Sequence, residues 1–163
     1  MKKFTFYALM ILVFLGGNIN AQWTEQDSGY DSPWILFGNS FPADQNSVGF
    51  IGGMYTTYNG DGIILKTEDG GETWDLNLGG TDGSLFGIEA VYFTSLDVGY
   101  AVGWDNDIKY TDDSGDTWSD MEVGTNVWYY TDVEFWDEDN GIISGRLNSG
   151  VSQVWVTDDA GDT

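Results

Sequence analysis

The chain has 163 residues, of which 41% are hydrophobic and 16% aromatic, and its formal net charge is −22. It contains no histidine and no cysteine, which excludes imidazole-based triads, thiolate nucleophiles, disulfides and Cys/His zinc sites within it. A negative field repels nucleic-acid phosphates and anionic lipid surfaces, because binding to both depends on Lys and Arg. We therefore expect no nucleic-acid partner. The apolar and aromatic content indicates a packed core rather than a disordered acidic chain.

Residues 1–21 have the pattern of an export signal. Lys2 and Lys3 precede an apolar run from Phe4 to Leu15, and small or apolar residues then lead to a cleavage site after Ala21. The apolar run is shorter than the roughly 20 residues that a spanning helix needs, so a retained membrane anchor is the weaker alternative. The sequence predicts a processed chain, residues 22–163, that is secreted or held in the cell envelope, in the periplasm or at the cell surface, without stable membrane insertion.

One phrase recurs along the rest of the chain. It reads Thr-Glu-Asp-Gly-Gly-Glu-Thr-Trp from Thr67 and Thr-Asp-Asp-Ser-Gly-Asp-Thr-Trp from Thr111. A third copy begins at Thr157 and stops at Thr163, one residue before the expected Trp. The copies lie roughly 45 residues apart, a spacing typical of propeller blades.

Short β-prone runs recur around each copy. The segments 47–53, 97–103 and 139–145 correspond to one another, and each is followed by an apolar or aromatic run before the phrase. Gly, Asn and Asp separate these runs, as in strands joined by tight turns, and no window after the signal has a helical period. The fold class predicted is all-β: a β-propeller of four-stranded antiparallel blades, with about three blades present and the ring incomplete.

The recurring phrase has the chemistry of a tight hairpin. Its Gly can adopt the positive φ that the turn requires, and its Asp can accept hydrogen bonds from exposed N–H groups. Its Trp can bury a large ring between neighbouring blades. Because acids that recur in every blade usually serve the fold, we predict a structural role for them and no catalytic residue among them. The residues predicted to be structural are Thr67, Asp69, Gly71, Thr73, Trp74, Thr111, Asp113, Gly115, Thr117, Trp118, Thr157, Asp159, Gly161 and Thr163.

The phrase resembles the Asp-box, or bacterial neuraminidase repeat, of β-propellers. Together with the Gly-aromatic-x-x-Gly pattern before it, the unit is most similar to the repeats of photosystem II assembly and stability factors, and the resemblance covers residues 23–163. It implies an exported, non-catalytic binding or scaffold propeller. The alternative that it implies is a secreted glycoside hydrolase of sialidase or xyloglucanase type, with catalytic residues partly outside this chain. A sialidase needs several arginines to clamp the substrate carboxylate, whereas Arg146 is the only arginine here.

The two ends of the repeat region indicate an open blade. The segment that starts at Trp23 corresponds to those that start at Trp74 and Trp118, so it predicts the last strand of a blade whose other strands lie elsewhere. About three blades cannot close a ring, which typically has 4–8. Either the chain is the front part of a longer propeller, which we favour, or two copies complete a six-bladed ring. An open edge favours self-association in both cases.

Candidate ligand residues lie in the stretches that vary between units, because a repeated scaffold keeps its strands constant while its loops differ. These stretches are 54–62, 104–107 and 146–152, with 75–84 and 119–130 after the phrases. Aromatic side chains there can stack on sugars or hold a peptide, or can fill gaps between blades. With a protein or glycan as the expected partner, the predicted ligand contacts are Trp104, Asp105, Asp107, Trp128, Tyr129 and Arg146.

Two acidic loops have oxygen ligands at a spacing that resembles calcium loops. They lie at 105–107 and 137–141, and both lack the EF-hand register and its closing Glu. A hydrogen-bonded Asx turn is the favoured interpretation of each. The sequence accordingly predicts no metal and no cofactor.

Overall fold

A computed structural model describes residues 23–30, 33–43, 47–56, 60–80 and 85–162. The predicted signal peptide and Thr163 lie outside these ranges. Within them, no helix has the length and apolar character that a bilayer crossing requires. The regular elements are the strands β1 (Trp34–Ser40), β2 (Gly49–Tyr55), β3 (Gly62–Thr67), β4 (Asp75–Gly79), β5 (Ile88–Phe93), β6 (Gly99–Gly103), β7 (Ile108–Thr111), β8 (Ser119–Asp120), β9 (Val127–Phe135), β10 (Gly141–Leu147) and β11 (Ser152–Thr157).

The strands form three antiparallel sheets in chain order. The first is β1-β2-β3-β4, the second β5-β6-β7-β8, and the third β9-β10-β11. The third sheet therefore has three strands in the described part of the chain, one fewer than the predicted four. Residues 23–26, which the sequence matches to a last strand, form no strand in the structure, and Trp23 is fully exposed.

The sheets pack face to face through their first strands. β5 contacts β1 and β2, and β9 contacts β5 and β6. The second sheet thus lies between the other two. Hydrogen bonds cross both junctions: the Phe93 N–H donates to the Ser40 hydroxyl at 3.1 Å, and the Tyr92 hydroxyl donates to the Phe135 carbonyl at 2.6 Å.

Two hydrophobic clusters fill the junctions. Aromatic rings stack at the centre of each, Phe50 on Phe93 in the first and Tyr100 on Phe135 in the second. Full burial of one such ring contributes about 1.5–3 kcal/mol, so these junctions supply much of the free energy that holds the sheets together.

The repeated glycines make room for this packing. A Cβ added to the glycine that opens β2, β6 or β10 would lie 2.5–2.6 Å from the ring of the phenylalanine before it, as at Gly99 against Phe93. The fifth residue of β2, β6 and β10 is also a glycine (Gly53, Gly103 and Gly145), and it lies against the backbone of the first strand of the same sheet. The two glycines of this pattern are therefore a packing requirement of each sheet, whereas the aromatic residue after the first glycine is present only in β2 and β6, since β10 has Ile142 there.

Consecutive turns alternate between the two ends of antiparallel sheets. We call the end that carries the β2–β3, β6–β7 and β10–β11 turns the upper end. The connections from β4 to β5 and from β8 to β9 lie at this end too. The repeated turns, 67–74, 111–118 and 157–162, lie at the opposite, lower end.

Candidate functional site

The predicted ligand residues are all at the upper end, on elements of the second and third sheets. Trp104 follows β6 and forms an isolated bridge with Tyr129. Trp128 and Tyr129 lie on β9, which begins at Val127, and Arg146 lies on β10. These three residues of the variable stretches thus lie on strand ends next to loops, because both strands extend further toward the upper end than the sequence pattern indicates.

Three aromatic rings meet at this junction. Trp104 stacks on Tyr129 with centroids 5.6 Å apart and planes 23° from parallel. Trp128 meets both rings edge to face, 6.4 Å from Trp104 and 5.4 Å from Tyr129. Trp128 is 45% exposed, while the other two are half-buried. The result is one accessible indole held on an aromatic base, which we call the aromatic platform (Trp104, Trp128 and Tyr129).

Arg146 adds a cation to the platform. The carbon of its guanidinium lies 5.5 Å from the centroid of the Trp128 ring. Such a contact contributes about 0.5–1 kcal/mol at an exposed site. No ion pair to Arg146 is found among the described residues, in contrast to Lys66 and Lys109. Its donors therefore remain available to a ligand beside the indole face.

Glu89 fixes the base of the platform. Its side chain accepts a hydrogen bond from the Trp104 indole N–H. The backbone of Trp104 is held as well, because its N–H donates to the Gly87 carbonyl at 2.9 Å. Glu89 was missed by the sequence analysis, since it lies on the first strand of a sheet and has no turn or repeat signal of its own.

The two predicted aspartates of the β6–β7 turn differ in their surroundings. Asp105 has φ of 59°, and its N–H donates to the Trp128 carbonyl at 2.9 Å, so its backbone joins the turn to β9. Asp107 instead contacts Lys109 at 2.7 Å. Burial of Lys109 opposes its charge, but hydrogen bonds to Asp107 and Asp120 outweigh this effect and raise the pKa of Lys109. The structure thus brings together four of the predicted ligand residues, Trp104, Trp128, Tyr129 and Arg146, with Asp105 beside them. Asp107 instead forms an ion pair with Lys109.

Tyr130 belongs to the core. Its side chain is buried, and its ring meets Trp155 edge to face at 5.3 Å. Its hydroxyl donates to the Asn106 side-chain oxygen and contacts the Val123 carbonyl. Burial raises the pKa of Tyr130 to about 12. Through its hydrogen bond to Asn106, Tyr130 holds the turn between β6 and β7 in place.

The acidic loop between β9 and β10 is an Asx turn. One oxygen of Asp137 accepts hydrogen bonds from the N–H groups of Asp139 at 3.0 Å and Asn140 at 2.8 Å. The Asn140 side chain also donates to it, and these bonds lower the pKa of Asp137. Across the described ranges, no group of three or more acidic side chains has the geometry to hold a metal ion.

The repeated turns at the lower end share one hydrogen-bond pattern. In the first, the Thr67 hydroxyl donates to Asp69 and accepts from the Gly71 N–H, and Asp69 also accepts from both the N–H and the hydroxyl of Thr73. The second turn repeats every one of these bonds with distances within 0.1 Å. The third repeats the two that Thr157 makes.

These bonds favour the ionised carboxylates. Donation by the Thr73 side chain and N–H, with that of Thr67, lowers the pKa of Asp69 to about 2, and the corresponding bonds lower the pKa of Asp113. Each turn contains two consecutive residues with positive φ. The second of the two is always a glycine: Gly71, Gly115 or Gly161, with φ of 92°, 77° and 87°.

The tryptophans after the turns pack against aromatic rings, and Trp118 lies at the junction of the first two sheets. Trp118 meets Phe93 edge to face at 6.1 Å, and its indole N–H donates to the Asn77 side chain at 2.7 Å. The Asn77 amide in turn donates to the Gly115 carbonyl at 2.8 Å. Trp74 meets Phe41 in the same way at 6.4 Å. The last strand of one sheet is thereby tied to the repeated turn of the next.

Solved β-propeller structures resemble this arrangement. The chain superimposes on a structure described as YCF48 bound to D1 peptide with a TM-score of 0.58 and 20% identity, over 85% of this chain and 43% of that one. It superimposes on YCF48 from Cyanidioschyzon merolae with a TM-score of 0.60 and 21% identity, over 80% and 36%. The Niastella koreensis GH74 enzyme gives a TM-score of 0.61 and 15% identity, over 78% and 22%.

At these identities the likeness shows the fold alone. The chain is an all-β propeller made of antiparallel blades, and the predicted fold class is confirmed. It spans less than half of the length of each of these three structures. The sequence matches no protein-family model, and it matches no curated protein.

Proposed function

We propose that the chain is an exported, non-catalytic binding or scaffold propeller, of the Asp-box type found in photosystem II assembly factors, that recognises a protein or glycan through the aromatic platform and Arg146. The observation that carries this proposal is the exposed Trp128 ring, which is backed by Trp104 and Tyr129 and has the Arg146 guanidinium 5.5 Å from its centroid. An indole face offers stacking to a sugar ring or an aromatic side chain, and a guanidinium offers donors to carboxylates and hydroxyls.

The platform is organised before any ligand arrives. Glu89 holds the Trp104 indole and the Asp105 N–H holds the Trp128 backbone. Rigid contact residues lower the entropy lost on binding, so such a site binds more tightly than a mobile one of equal area. A protein partner is supported by the structure of YCF48 bound to D1 peptide, on which this chain superimposes.

A non-catalytic role is supported by the state of the most regularly placed carboxylates. Asp69 and Asp113 are each committed to hydrogen bonds from threonine hydroxyls and backbone N–H groups, and their lowered pKa values keep them ionised at neutral pH. A general acid needs the opposite shift, toward the operating pH. These residues therefore stabilise turns in the proposed function.

The second candidate function is that of a secreted glycoside hydrolase. It is favoured by the likeness in fold to the GH74 enzyme, of which this chain covers 22%. Such an enzyme requires two carboxyl groups that flank the scissile bond, at about 5–5.5 Å or 6.5–9.5 Å from each other. In this case the platform would serve as a substrate subsite and the catalytic pair would include residues outside the chain.

The test uses the exported protein with glycan and peptide arrays, followed by titration of the ligand that binds best. We expect Trp128→Ala and Arg146→Gln each to weaken binding at least tenfold. Trp136→Ala is the matched control, because Trp136 is an exposed indole in the β9–β10 turn at the lower end. Equal affinity of Trp128→Ala and the parent chain would refute the proposed site. Glycosidase turnover that a single Asp or Glu substitution abolishes would establish the second function instead.

Export is tested separately. We expect the chain recovered outside the cytoplasm to begin at Gln22, which N-terminal sequencing or intact mass would show. Recovery of an unprocessed chain in the cytoplasm would contradict the proposed localisation.

A further inference from the structure

A cavity of about 480 Å³ lies at the lower end, between the first strands of the second and third sheets. We call it the lower cavity. Its lining consists of Tyr92, Thr94, Phe135 and the β9–β10 turn, 136–140. Three of the lining residues, Tyr92, Phe135 and Trp136, are aromatic. The aromatic platform lies at the opposite end of the sheets, so the proposed function makes no use of the lower cavity.

Hydrogen bonds fix the walls of the lower cavity. The Tyr92 hydroxyl donates to the Phe135 carbonyl at 2.6 Å, and the two rings stack with centroids 6.1 Å apart. The Trp136 N–H donates to the Asn140 carbonyl at 3.1 Å, and the Asn140 side chain donates to Asp137 at 2.8 Å. The walls are therefore organised before a ligand arrives, which lowers the entropy lost on binding.

Trp136 is the accessible ring of this lining. Its side chain is 63% exposed, and its indole N–H has no hydrogen-bond partner in the described part of the chain. The repeat does not require an indole here, because the residue after the matching phenylalanine is Pro42 in the first sheet and Thr94 in the second. A large ring outside the repeat pattern, beside a preformed cavity, has the position of a ligand contact.

Three carboxylates lie next to this indole in the cavity lining. Asp137, Glu138 and Asp139 are exposed, and the hydrogen bonds that lower the pKa of Asp137 keep it ionised. The side chains of Glu138 and Asp139 have neither an ion pair nor a hydrogen bond among the described residues. The matching turn of the second sheet, 94–98, has only Asp97. The third sheet thus adds charge as well as an indole at this position.

The basic residues of the described ranges do not neutralise these carboxylates. Lys66 and Lys109 form ion pairs with other acids, and Arg146 lies beside Trp128 at the upper end. The turns at the lower end of the second and third sheets hold ten acidic residues and no Lys or Arg in 94–98, 112–118, 136–140 and 158–162. The field at this end therefore attracts cations.

We propose that the lower cavity docks a basic segment of a protein partner, with one Lys or Arg side chain over the Trp136 ring and beside Glu138 and Asp139. An indole face attracts an organic cation, carboxylates accept hydrogen bonds from its N–H groups, and the free indole N–H can donate to a peptide carbonyl. The acidic turns on both sides attract further basic residues of the same segment. A metal ion fits less well, because no group of three acidic side chains in the described ranges is arranged to hold one.

The test measures the fluorescence anisotropy of a short labelled peptide of alternating Lys and Ala with the exported chain at low salt. We expect Trp136→Ala to weaken binding about fivefold, the loss expected for one cation–π contact. The double variant Glu138→Gln with Asp139→Asn is expected to weaken it to a similar extent. Its matched control is Glu72→Gln with Asp75→Asn, which removes the same two charges at exposed positions of the first sheet. We expect less than a twofold change for the control.

A site-specific signal separates docking from general attraction of a basic peptide to an acidic chain. The indole N–H resonance that Trp136→Ala removes is expected to shift in the parent chain as peptide is added. Equal losses for the two charge pairs, or a Trp136 resonance that does not move, would overturn the proposal.

Two further outcomes would also overturn it. Loss of binding in Trp128→Ala without loss in Trp136→Ala would place the peptide on the aromatic platform. Spermidine that binds as tightly as the peptide, with the same dependence on Trp136, would show a site for small cations and not for a protein segment.

Discussion

Tyr100 of β6 stacks on Phe135 of β9 with ring centroids 4.4 Å apart and planes 20° from parallel, and the pair joins the second sheet to the third. Phe50 stacks on Phe93 in the same way at the first junction, at 3.9 Å and 10°. Tyr100 differs from Phe50 by a hydroxyl group that donates to the Ala160 carbonyl at 3.0 Å. One aromatic pair thus fixes each junction, and at the second junction it also holds the repeated turn.

Substitutions of Tyr100 separate these two contributions. Tyr100→Phe removes the hydrogen bond and keeps the stack, so we expect a loss of about 0.5–1.5 kcal/mol in the free energy of unfolding. Tyr100→Ala also opens a cavity in the junction, and we expect a loss of about 3–5 kcal/mol. Urea denaturation followed by tryptophan fluorescence measures both. Similar losses for the two variants would show that the stack contributes little.

The repeated turns predict a dependence of stability on acid pH. The pKa of Asp69 is about 2 in the folded chain and 3.8 in the absence of these contacts. Its contribution to the free energy of unfolding is therefore fully present above pH 4 and is lost as the pH falls from about 4 to 2. We expect Asp69→Asn to lower stability at pH 7 and to flatten the stability profile in that window. Glu72→Gln, at an exposed side chain of the same turn, serves as the control. A profile for Asp69→Asn that runs parallel to that of the parent would contradict the assigned hydrogen bonds.

Two buried tyrosines predict a second dependence at alkaline pH. Burial raises the pKa of Tyr100 and of Tyr130 to about 12, above the ordinary value of 10.0. For a group whose folded pKa is raised, stability is fully present below the unfolded value. It is lost here as the pH rises from 10 to about 12. We expect absorbance at 295 nm to show tyrosines that ionise only in this range, together with a fall in the urea midpoint. Ionisation of all tyrosines near pH 10 in the folded chain would refute the prediction.

The hydrogen bonds of the repeated turns could be predicted from the sequence more completely than the contacts of the candidate ligand site. Each repeated turn is closed within eight residues, so Thr67, Asp69 and Gly71 carry its hydrogen bonds and its positive φ in a local pattern. Glycine did not mark every residue with positive φ in these turns. Ser114 and Ala160 adopt φ of 62° and 59° at the position that Gly70 fills in the first copy.

The platform depends on contacts between residues far apart in sequence. Trp104 is held by Glu89 from the preceding strand and by Tyr129 from the next sheet, and no local signal marks either partner. The sequence also placed 119–130 among the stretches that vary between units, whereas β9 already begins at Val127. Strand ends are set by neighbouring strands, so the sequence did not show that Trp128 and Arg146, in the variable stretches, lie on strands.

Gly103 links the packing of the second sheet to the platform, and its substitution tests that link. A Cβ at this position would meet the Gly87 carbonyl oxygen at 1.9 Å, and the adjacent Trp104 N–H donates to the same oxygen. Because the obstacle is backbone, Gly103→Ala must move β5 or β6, and we expect a loss of about 1–3 kcal/mol. We also expect the Trp104 indole to shift relative to Glu89, with a change in tryptophan fluorescence and weaker ligand binding.

Gly53→Ala is the control, at the matching position of the first sheet. Its Cβ would meet the Ile35 carbonyl oxygen at 2.6 Å, so it destabilises the chain without touching the platform. Loss of binding in both variants alike would show that general destabilisation, and not the position of Trp104, controls the site.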